Sequence, residues 1–117
     1  MRRAIWLWTL MSGLVAPTVL AADWRPLSGT FAITAKEYLD PADGEKPDSH
    51  LRIQLDGEAA NALYDAMPGP SAVDACTGGL SKASGEMVCT KTDGDRPYEC
   101  HFAIEIATQK VVHGVAC

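Results

Sequence analysis

The sequence predicts a small α+β domain: an antiparallel sheet of about five strands, stapled by disulfides, with one helix on one face. Three observations lead there. Apolar and polar residues alternate in two short stretches before residue 56. A single apolar stripe at helical spacing follows. Alternation then returns in the C-terminal third as a β-meander, where all four cysteines lie at or beyond Cys76.

The chain opens on a leader. Arg2 and Arg3 precede an apolar run from Ala4 to Leu20, and Val19-Leu20-Ala21 offers small residues at the positions a signal peptidase reads. Residues 1–21 are therefore expected to be a cleaved signal peptide, and 22–117 a single exported domain, periplasmic or secreted. The rival reading, an uncleaved anchor, is disfavoured because Ser12, Gly13, Pro17 and Thr18 interrupt a run barely long enough to span a bilayer. No cysteine follows the cleavage site, so lipid anchoring is not expected, nor is a membrane span in the mature chain.

Thr30–Ala35 alternates with Phe31, Ile33 and Ala35 on one side, and Leu51, Ile53 and Leu55 alternate around Arg52 and Gln54. Both segments are expected to be half-buried strands. Between them, residues 36–50 carry Pro41, Gly44 and Pro47 together with Asp40, Asp43, Glu45 and Asp48, a composition suited to an exposed acidic loop. The helix begins at Asp56, placed to cap its first turn, with Glu58 near its positive end. Ala60, Leu63, Tyr64 and Met67 form its apolar stripe, and Pro68-Gly69-Pro70 ends it.

The meander comprises Met87–Thr92, Tyr98–Ile106 and Val111–Cys117, with a further short strand possible around Leu80–Lys82. In its central strand Tyr98, Cys100, Phe102, Ile104 and Ile106 face the core, while Glu99, His101, Ala103 and Glu105 face water. Centring the first turn between Gly94 and Asp95 sets Cys89 opposite Cys100. Centring the second between Thr108 and Gln109 sets Cys100 opposite Cys117 and turns His113 inward beside Ile104. An even number of cysteines in an oxidising compartment implies two disulfides. The favoured pairing is Cys76 with Cys89 and Cys100 with Cys117; the nested alternative joins Cys89 to Cys100 and Cys76 to Cys117.

Ten Lys and Arg stand against fifteen Asp and Glu. Removing the leader takes two arginines, so eight face fifteen and the formal charge becomes −7. That balance argues against nucleic acid and anionic membrane as partners and favours a basic protein. His50, His101 and His113 lack metal-ligand spacing to one another or to the cysteines, residues 40–45 lack the ligand pattern of a calcium loop, and no phosphate loop, nucleophile elbow or Cys-x-x-Cys occurs. No cofactor, metal or catalytic residue is thus expected.

The arrangement resembles, in outline and through no motif, small secreted inhibitors and immunity proteins, which mount variable loops on a disulfide-tied sheet. The function expected first is a non-enzymatic binding protein acting on a basic envelope or cell-wall-degrading enzyme through Asp40, Asp43, Glu45 and Asp48. An envelope-assembly module docking through an exposed edge comes second. A hydrolase using His101, flanked on its strand by Glu99 and Glu105, comes third.

Overall fold

The computed structural model describes residues 22–37 and 40–114. Residues 1–21, which carry the expected signal peptide, residues 38–39 and the terminal residues with Cys117 lie outside the described residues, as does the end of the last expected strand. The domain is α+β. Strands β1 (Gly29–Thr34) and β2 (His50–Asp56) precede helix α1 (Gly57–Ala66), followed by β3 (Ala72–Val73), β4 (Leu80–Ser84), β5 (Met87–Lys91), β6 (Tyr98–Glu105) and β7 (Lys110–Val112). All seven strands form one antiparallel sheet in the order β1-β2-β6-β5-β4-β3, with β7 paired to β6 beyond the end of β5. The helix lies against β2, β6 and β5.

Alternation decides which face the helix covers. Leu55, Cys89 and Cys100 share one side of the sheet and meet Ala60, Tyr64 and Met67 of the helix and its C-cap, all of them buried. Tyr98 extends this core with its ring edge-on to Tyr64 at 5.5 Å. The helix has no basic residue in its last turn. Lys82 supplies one from β4: its Nζ donates to the carbonyls of Tyr64 and Met67 at 3.2 and 3.5 Å and sits 4.7 Å from the Tyr64 ring centroid.

At the other end Asp56 occupies the N-cap position in extended conformation, but its side chain makes no cap bond. Its carboxylate instead accepts from the Ser28 hydroxyl, and Gly57 opens the helix at φ 54°. Asp56 therefore ties the lead-in to β1 instead of capping the helix.

The expected register holds at the β5–β6 hairpin, where Cys89 lies opposite Cys100. These two cysteines are bonded, Cα–Cα 4.0 Å. The favoured pairing of Cys76 with Cys89 and Cys100 with Cys117 is thereby overturned. Val88–His101 and Thr90–Glu99 are the hydrogen-bonded pairs of this ladder, which leaves Cys89 and Cys100 at a non-hydrogen-bonded pair, where opposed strands approach most closely. Cys76 sits in the β3–β4 turn, with β4 between it and β5, and is itself disulfide-bonded. The Asp74 carboxylate shapes that turn, held below its ordinary range first by the Thr77 hydroxyl and then by the Thr77 and Cys76 backbone N–H groups.

The last hairpin is displaced by two residues from expectation. Glu105 pairs with Lys110 and Ile104 with Val111, around a loop in which Gln109 adopts φ 59°. Ile106 leaves the hairpin and donates its N–H to Ser49, prolonging the β2 side of the ladder. His113 consequently does not turn inward beside Ile104. It stands exposed past the strand end, 4.0 Å from Glu86.

Candidate functional site

The acidic loop between β1 and β2 is organised by one of its own carboxylates. Glu45 Oε1 accepts the Glu37 N–H at 3.0 Å and Oε2 the Ala42 N–H at 3.1 Å, while the Glu45 N–H returns to the Ala42 carbonyl at 3.0 Å. Gly44 makes this turn possible with φ 78°. Asp40, Asp43 and Asp48 remain exposed on the outside. Asp48 lies 3.9 Å from Lys46, and no described residue pairs with Asp40 or Asp43. The four acidic positions thus divide into one that builds the loop and three that display charge.

The sheet face away from the helix was expected to be wet, and at its centre it is not. His50, Arg52 and Ala103 are buried there. Arg52 donates from Nε to Thr34 Oγ1 at 2.9 Å, from Nη1 to the Gly114 carbonyl at 2.7 Å and from Nη2 to the Lys36 carbonyl at 2.6 Å. It binds both the start of the acidic loop and the chain after β7 to the sheet, and gives the buried Gly114 carbonyl a partner. Gly114 lies so close that a Cβ there would stand 2.8 Å from the Phe102 nitrogen. A lone arginine in an alternating strand looks solvated in sequence; only the returning C-terminal segment makes it a buried clamp.

The same face carries the titratable cluster. His101 Nε2 is 3.7 Å from Glu99 Oε2, and its Nδ1 is buried without a hydrogen-bond partner. Glu105, expected as the third member, turns instead toward His50, whose Nε2 lies 3.9 Å from Glu105 Oε2. His50 Nδ1 in turn meets the Ser49 hydroxyl at 2.7 Å. This Ser49-His50-Glu105 line has the composition of a hydrolytic triad, and it arises only from the pairing of β2 with β6, which no spacing along the chain announces. The Ser49 hydroxyl also donates to the Lys46 carbonyl at 3.4 Å, and the Ser49 N–H and carbonyl are both engaged in the sheet. Neither group is left for a reacting carbonyl. An open groove of about 250 Å³ runs past His101 between Phe31, Ile53, Gln54 and Phe102, below the roughly 300–1,000 Å³ usual for a small-molecule site. Among the described residues, no group of three or more His, Cys, Asp or Glu is placed to hold a metal ion, and no helix is long and apolar enough to cross a membrane.

Compared with protein-family models, curated proteins and solved structures, the chain shows no match.

Proposed function

We propose that this protein is a small exported, non-enzymatic binding protein whose acidic loop engages a basic partner, in the manner of an inhibitor or immunity protein acting on an envelope or cell-wall-degrading enzyme. One observation supports the reading above the others: Glu45 spends both carboxylate oxygens on the loop backbone, so Asp40 and Asp43 are presented on a shaped turn where, among the described residues, no cation pairs with them. Charge held on a shaped loop loses less entropy on binding than charge on a pliable one, and it steers encounter with a cationic surface. The histidine–glutamate pairs of the sheet serve the fold in this reading, anchoring the loop's return at Ser49 and His50.

The test separates display from construction. Asp40→Asn, Asp43→Asn and Asp48→Asn together leave the loop's own hydrogen bonds intact. They are expected to weaken binding to cationic cell-wall hydrolases by at least about tenfold and to flatten its salt dependence. Unchanged affinity in this triple variant overturns the reading.

A further inference from the structure

The sheet has two very different edges. At one, β3 is two residues long. At the other, β1 runs for six residues, Gly-Thr-Phe-Ala-Ile-Thr, with no charge, no proline and no bulge against β2. Charged side chains, proline, bulges and brevity are the usual protections of an open edge, and β1 has none of them. Among the described residues no strand pairs with its outer side.

Hydrogen-bond phase shows what that edge offers. The Asp56 N–H donates to the Ser28 carbonyl, so residues 28, 30, 32 and 34 direct their backbone groups at β2. The N–H and C=O of Phe31 and Ile33 therefore point outward. Their side chains are 75 % and 50 % exposed, because the helix does not reach this far across the sheet. Trp24, 92 % exposed, and Leu27 continue the apolar surface into the lead-in to the strand. The surface on offer is roughly 1,000 Å² over two copies, the scale of a weak specific interface.

We propose that β1 pairs antiparallel with β1 of a second copy of this chain, about a twofold axis through Ala32. Phe31 then lies opposite the partner's Ile33 in a hydrogen-bonded pair, Thr30 opposite the partner's Thr34, and the two Ala32 residues meet at a non-hydrogen-bonded pair. The strand is self-complementary in this register. Each large apolar side chain has a large apolar neighbour, the threonines pair on the opposite face, and the small alanine sits at the axis. Shifting the axis to Phe31 would set Ile33 against Gly29 and forfeit one of those contacts. The occupant is a second copy because this strand is uncharged and self-matching, so at this edge an acidic chain meets its own kind without local repulsion. The remaining acidity, −5 for the whole chain, opposes association at low salt. Dimerisation therefore strengthens as salt rises, opposite in sign to the salt effect on a basic partner. This proposal is independent of the acidic-loop reading.

Sedimentation of the oxidised protein from micromolar to millimolar concentration is the test. The expected result is a reversible monomer–dimer equilibrium, tightened by salt. Phe31→Lys should weaken it by at least about tenfold through lost apolar burial. Val73→Lys, an equally exposed apolar residue on the short opposite edge, should leave it unchanged. Ala32→Cys should oxidise to a covalent dimer, as the native Cys89–Cys100 bond does across its own non-hydrogen-bonded pair. This arm does not depend on how well the lysine variant folds. A monomer at every concentration, a dimer indifferent to Phe31→Lys, or failure of Ala32→Cys to cross-link overturns the proposal. So does an open polymer in place of a closed dimer.

Discussion

Arg52 is the residue whose removal should be felt most widely. It bridges Thr34, the Lys36 carbonyl and the Gly114 carbonyl from a buried position. Arg52→Leu would fill some of the volume but leave those acceptors unpaired. We expect a loss of about 2–4 kcal/mol in chemical or thermal denaturation, with Arg52→Lys recovering only part because an ammonium cannot reproduce the fork. Glu45 acts more locally. Glu45→Ala should leave global stability nearly unchanged while the amides of Glu37 and Ala42 lose about fivefold or more of their hydrogen-exchange protection. Asp74 is held below the ordinary carboxylate range by the Thr77 hydroxyl and backbone N–H. Its folded-state affinity for protons is depressed, so its contribution to the β3–β4 turn is complete above the ordinary carboxylate range near 3.8 and is lost as the pH falls below it. The four acidic loop residues were legible in the sequence as a group. Their division into one builder and three displayed charges was not, because Glu45's role depends on where the Glu37 and Ala42 amides fall in space.

Among the elements, the helix and the β5–β6 hairpin were the most legible. Ala60, Leu63, Tyr64 and Met67 lie at helical spacing and all pack toward the core, and the turn from Asp93 to Arg96 centred the hairpin correctly. The last hairpin lacked such a signal: Ala107, Thr108, Gln109 and Lys110 favour no register, and the positive φ falls on Gln109 where sequence alone would seek glycine. The two-residue β3 is too short to show alternation. The helix C-terminus depends on Lys82 from a neighbouring strand, a contact no local pattern announces. Lys82→Met keeps the apolar stem and removes the donor, and should cost about 1–2 kcal/mol. Replacing both Cys89 and Cys100 by alanine should cost about 2–3 kcal/mol, measured by denaturant unfolding, since the bond closes a separation of 11 residues at the buried centre of the sheet.

On the scale of the whole molecule the sheet distributes its labour by position. Its centre is closed on one side by the helix and on the other by Arg52 and the chain at Gly114. The acidic loop at one end and the β1 edge at one side stay open. The half-buried strand predicted at Thr30–Ala35 is a strand, but Phe31 and Ile33 stay largely exposed because the ten-residue helix packs chiefly on β6, β2 and β5. Fold class was readable because alternation and helical periodicity are local; coverage was not, since it depends on where the helix comes to rest.

The role proposed for the loop's displayed carboxylates is to bind a cationic enzyme. Titration of the oxidised protein against a panel of cationic lysozymes and related cell-wall hydrolases, at low and high salt, with the Asp40/Asp43/Asp48 triple asparagine variant alongside, tests it most directly. The expected result is saturable one-to-one binding to a member of the panel, weakened by salt and reduced at least about tenfold in the variant. Absence of binding across the panel, or binding indifferent to both salt and the three substitutions, would contradict it.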